Sequence, residues 1–164
     1  MARKLLAFVL LGPAMLFGLY RCSYLPVRCS RDISQSEKEL VTAAEHDDGY
    51  STIVAARRAL DRLKRCYVRP LQVDPLLLTA LSYRFLQQHD LAIEWYQRAL
   101  IVDRRPEIYL GLGAEQLKAG RRSEAIENLT LACAFAPQML DSIDDGVARQ
   151  QVIQRIRERY GADW

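Results

Sequence analysis

Two histidines, His46 and His89, and four cysteines, Cys22, Cys29, Cys66 and Cys133, are the side chains of this 164-residue chain best suited to metal or nucleophilic chemistry. The cysteines contain no CxxC pair, so the spacing of a zinc or dithiol site is missing. His46 precedes Asp47 and Asp48, and ordinary turn and capping chemistry accounts for all three. His89 stands beside Asp90 at a break between apolar runs and reads as a surface or capping histidine. The glycines of Gly111-Leu112-Gly113 fall inside a helical pattern, which excludes a phosphate-cradling loop. No nucleophile sits beside a base and no carboxylates are paired, so the chain is expected to be no enzyme, with no cofactor and no small-molecule substrate. Cys66 and Cys133 lie within helical patterns and read as small core residues. For Cys22 and Cys29 two states stand open: a disulfide closing a small loop, or free thiols.

Charge supplies a second kind of chemistry. The 23 basic and 20 acidic residues leave a net charge of +3, so no whole-molecule field points to nucleic acid. Locally, Arg58, Arg62, Arg65 and Arg69 recur at spacings of 4, 3 and 4, with Arg57 and Lys64 nearby. Such a stripe is a solvated helix face, a dock for an acidic protein, or a lipid- or polyanion-binding surface. Glu37 and Glu45 are expected to neutralise part of it. Of the basic residues 19 are Arg and 4 are Lys, the codon bias of a GC-rich bacterium.

The elements that must position these groups are helical. Half of the residues are hydrophobic, and eight Gly and six Pro are too few for the turns of an all-β fold. Residues 5–20 (LLAFVLLGPAMLFGLY) carry no charge and are flanked by Arg3, Lys4 and Arg21. A helix of that length spans roughly 24 Å, short of a full bilayer core, yet no small-residue cleavage site follows. An uncleaved signal anchor over 1–20 is the preferred reading, with Tyr20, Arg21 and Tyr24 in the interfacial layer. Residues 21–34, with Pro26 and several Ser and Arg, read as a juxtamembrane linker. The folded domain is then 35–164.

Ser36 and Glu39 form a capping box for a short helix ending near His46. Ile53, Ala56, Leu60, Leu63 and Tyr67 mark one face of a second helix that Pro70 stops. A third begins at Asp74-Pro75 and breaks at His89-Asp90, and a fourth covers Leu91 to about Val102. Pro106 to Lys118 and Ser123 to Phe135 follow. A last helix runs from Asp144 to Tyr160, acids first and arginines last, as the helix dipole prefers.

Ala92 and Ala125 occupy the same place in two similar segments, LAIEWYQRAL and EAIENLTLAC, so the chain carries an internal repeat over 73–105 and 106–138. Tyr109, Leu112, Gly113, Gly120, Ala125, Leu129, Ala132 and Pro137 of the second copy, and Ala80, Tyr83, Ala92, Tyr96 and Ala99 of the first, resemble a tetratricopeptide repeat (TPR). Gln116 replaces that pattern's aromatic residue, and a third start at Met139 would place Gly146 at its close-contact position. The resemblance implies an all-α fold: a membrane anchor, a short TPR-like array of antiparallel helical hairpins, and a C-terminal capping helix.

It also implies a protein-binding groove on the first helices of the hairpins, carried over onto Leu77, Leu81, Arg84, Phe85, Leu110, Ala114, Leu117 and Lys118. An apolar partner segment suits those residues, unless the terminal helix or the N-terminal helix pair fills the groove. The expected role is a membrane-tethered scaffold that assembles envelope proteins. It would sit in the bacterial inner membrane by a single pass, with the helical domain in the periplasm. The alternative is a permanent non-catalytic subunit of a larger membrane complex, such as a dehydrogenase or secretion machine.

Overall fold

The computed structural model describes residues 25–45, 48–64, 66 and 72–161. The anchor expected over residues 5–20 lies outside them, as do Cys22, His46, Asp47, Arg65, Tyr67 and Arg69. Among the described residues no helix is long and apolar enough to cross a membrane.

The described chain is helical: α1 (Leu25–Glu45), α2 (Gly49–Leu63), α3 (Val73–Phe85), α4 (His89–Val102), α5 (Pro106–Lys118), α6 (Arg122–Phe135), a 3₁₀ turn (Pro137–Ser142) and α7 (Gly146–Tyr160). Each helix packs on its neighbour in sequence, and α1 also touches α3. Both ends of α3 and α4 map onto both ends of α5 and α6 with one constant offset, the interval from Ala92 to Ala125. The repeat is therefore a repeat of hairpins.

Small residues set the distance between helices. Ala80, Ala92, Ala99, Ala125 and Ala132 are fully buried, so backbones approach where a larger side chain would separate them. At Gly113 an added Cβ would lie 2.6 Å from Cγ of Leu129 and 3.1 Å from the carbonyl of Ala125, which fixes the α5–α6 contact. Three buried hydroxyls do not disturb this core, because each bonds a carbonyl one turn back: Thr79 to Pro75, Ser82 to Leu78 and Thr130 to Ile126.

The turns repeat with the hairpins. After α3 the amide of Gln88 reaches the carbonyl of Tyr83 at 2.9 Å, and after α5 the amide of Arg121 reaches that of Gln116 at 2.8 Å. These are Schellman closures, which need a left-handed residue. Gly120 supplies it with φ of 76°, whereas at the equivalent place after α3 Gln87 adopts φ of 57°. A side chain in that conformation costs roughly 1 kcal/mol. Gln87→Gly should accordingly raise the unfolding free energy by about 0.5–1 kcal/mol, read as a higher urea midpoint at constant m-value.

Several sequence expectations need correction. The 21–34 linker is helical from Leu25 onward. Cys29, Ile33, Ser36, Leu40 and Ala43, spaced 4, 3, 4 and 3, form the inward face of α1, and Pro26 falls in the first turn, where a missing N–H is harmless. Ser36 and Glu39 are mid-helix and form no capping box; Ser36 is fully buried and Glu39 accepts a hydrogen bond from Arg62 across the hairpin at 2.7 Å. Helix α2 buries Ala55, Ala56, Ala59 and Leu63 and leaves Ile53 exposed. Its N-cap is Asp48, which accepts from the amides of Tyr50 and Ser51.

Asp74 lies in the first turn of α3 and makes no cap; it faces Arg105. Gly146 opens α7 with nothing within 4 Å of an added Cβ, so no close contact forms there. The third start at Met139 falls on the 3₁₀ turn, after which Asp145 caps α7 by accepting from the amide of Ala148 at 2.8 Å.

The cysteines pair differently from either expectation. Cys29 and Cys66, separated by 37 residues, form a disulfide that joins the first turns of α1 to the segment after α2. Cys66 is thus no plain core residue. Cys133 does behave as one: it is buried and unpaired, and burial pushes its thiol up to about 11.

Candidate functional site

Helix α3 places Leu77, Leu81 and Arg84 on one side of a groove of about 560 Å³, and α5 places Glu107, Leu110, Ala114, Leu117 and Lys118 on the other. These positions recur at helical spacing because both helices turn the same stripe to the concave side. Tyr96 from α4 forms part of the floor at Gly111, where an added Cβ would lie 2.6 Å from its ring. Ser142, Ile143, Asp144 and Asp145 bound the groove beyond α5.

Of the groove residues expected from the sequence, Leu77, Leu81, Arg84, Leu110, Ala114, Leu117 and Lys118 come together here. Phe85 does not; it packs with Leu81 and Leu86 against the α1–α2 core. The groove is also not filled by the terminal helix. Ala148, Val152 and Ile156 of α7 pack with Ile126, Leu129 and Cys133 of α6. Arg155 and Arg159 then tie α7 to Glu127 on the outer side of α6, at 3.4 and 3.0 Å.

A charge cluster that sequence pattern alone does not reveal stands at the groove's edge. Glu115 of α5 is fully buried, with Arg84 Nε at 3.4 Å and Lys118 Nζ at 3.2 Å from one carboxylate oxygen and His89 Nδ1 at 2.7 Å from the other. A buried carboxylate is retained only with such partners. His89 is consequently an interhelical ligand of Glu115 rather than a surface or capping residue. The one sequence signal for this burial was the repeat itself, since Glu115 holds the place in the second copy that Ser82, also fully buried, holds in the first. The Tyr96 phenol next to Arg84 is pushed up to about 12, chiefly by its burial.

Gln116, in the place of the aromatic residue, is buried as well. Its amide donates to Glu124 at 3.0 Å and accepts from Asn128 at 2.8 Å, so α5 and α6 are joined by a satisfied polar bridge.

The basic stripe is only partly available. Arg57 and Arg58 are exposed, while Arg62 is engaged by Glu39. The Arg62 guanidinium holds Glu39 below the ordinary carboxylate range. Among the described residues no cluster of three or more His, Cys, Asp or Glu is placed to hold a metal ion.

No protein-family model and no curated protein matches the chain. Its structure is similar to that of TTC0263, described as a thermophilic TPR protein in Thermus thermophilus, with a TM-score of 0.60 and 25% sequence identity over 93% of this chain and 76% of that one. It is also similar to MamA, with a TM-score of 0.53 and 15% identity over 80% of this chain and 90% of that one. With hairpins repeating at a constant interval, small residues at each close contact and these likenesses in structure, the chain has the tetratricopeptide-repeat fold.

Proposed function

We propose that this chain is a non-catalytic, protein-binding scaffold whose concave groove holds an apolar segment of another protein. The observation that carries this reading is the open groove itself. Aliphatic side chains from two hairpins line it, and α7 lies against α6 instead of occupying it. In this proposal residues 5–20 tether the scaffold to a bacterial inner membrane, the helical domain lies in the periplasm, and the partners are envelope proteins under assembly. The Cys29–Cys66 disulfide supports that placement, because such bonds persist in oxidising compartments.

Two experiments test the proposal. Full-length protein extracted in detergent should capture a stoichiometric envelope partner, and Ala114→Gln should abolish that capture while leaving the thermal unfolding midpoint in place. Ala114 lines the groove without belonging to a core cluster, so a larger side chain there fills the site only. Retained capture by the variant would refute the groove as the docking site. Alkaline phosphatase fused after Trp164 should be active; an inactive but stable fusion would overturn the periplasmic placement.

A further inference from the structure

Arg84 and Lys118 come from different helices and converge on the single buried carboxylate of Glu115, so two permanent cations share one negative charge. Glu115 has no exposed side-chain surface, whereas Arg84 and Lys118 keep 41% and 42% of theirs and line the groove. Each head gives one contact to Glu115, and guanidinium and ammonium carry five and three donors, so donors remain on both for a ligand. Glu115 holds both heads and the Tyr96 phenol also meets Arg84, which lowers the ordering cost of receiving a ligand.

The acids that also line the groove do not cancel this charge. Asp145 is committed to the α7 cap and to Arg122 at 3.2 Å, and Glu107 stands at the opposite end of α5, about 16 Å away at 1.5 Å per residue. Asp144 lies on the segment that bounds the groove beyond α5. A ligand acid is therefore favoured beside Arg84 and Lys118.

Resting on the reading of the groove as a peptide site, we infer that its occupant is an aliphatic protein segment carrying an internal acidic side chain received by Arg84 and Lys118. The aliphatic residues fill the space between Leu77, Leu81, Leu110 and Leu117, and the acid sets their register through charge-assisted hydrogen bonds.

The test is selection of phage-displayed random 12-residue peptides, fused through their C-termini so that any selected acid is a side chain, on full-length protein in detergent micelles. Enriched peptides should combine aliphatic residues with one Asp or Glu. Changing that acid to its amide should weaken binding to the wild type about tenfold, as loss of a charged hydrogen bond implies. Arg84→Gln with Lys118→Gln, made together with Glu115→Gln so that no unpaired carboxylate stays buried, should bind the acid and amide peptides equally, and its thermal unfolding midpoint checks that it is folded. Enriched aliphatic peptides without an acid, or an acid preference that survives this folded triple variant, would overturn this inference while leaving the groove reading intact. Absence of any enrichment would overturn both.

Discussion

Serine at Cys29 or Cys66 should lower the unfolding free energy by about 3–4 kcal/mol. That is the chain-entropy expectation for opening a 37-residue loop. The loop encloses nearly the whole α1–α2 hairpin, whose core is mostly alanine: Ala43, Ala55, Ala56 and Ala59, with Leu40 and Leu63. Alanine buries little area, so this hairpin depends on its cross-link more than the repeats do. Urea unfolding of oxidised protein gives the measurement. Adding reductant to the wild type should bring it to the level of Cys29→Ser and leave that variant unmoved. Equal stability of variant and wild type would refute the structural role of the bond.

Valine at Gly113 should cost about 2–3 kcal/mol, because Leu129 is fully buried and the Ala125 carbonyl cannot retreat without moving α6. Gly113→Ala should cost less, since alanine recovers about 1 kcal/mol of helix propensity. The control is Gly146→Ala, where an added Cβ meets nothing and stability should not fall. If Gly113→Val unfolds at the wild-type urea midpoint, the close α5–α6 contact is wrong.

The two repeats were readable because their small residues and turn residues recur in register. Ala92 with Ala125 and Pro106 after Arg105 give the helix ends almost directly. Helix α1 was not, because its inward face uses Cys29 and Ser36, types that look like linker residues until Ile33, Leu40 and Ala43 are counted with them. The Cys29–Cys66 pair is a long-range contact that no local pattern encodes. At the groove, the aliphatic wall followed from the hairpin register, whereas Phe85 turns toward the α1–α2 core one position after Arg84. Glu115 escaped because an acid in an amphipathic pattern reads as exposed; its burial depends on Arg84 and Lys118 meeting from separate helices with His89.

With a 3₁₀ turn following α6, the groove is walled by only two helices, α3 and α5, each 13 residues and so about 20 Å long. An extended segment lying along that length makes contact through about six residues at 3.3 Å apiece. So short an epitope falls well below the area of a standard stable interface, and its intrinsic affinity is modest. Under the proposed membrane tether that weakness becomes useful. Confinement of scaffold and partner to one bilayer raises their effective concentration, so occupancy is governed by co-localisation, and a finished complex can leave the groove as readily as its parts entered.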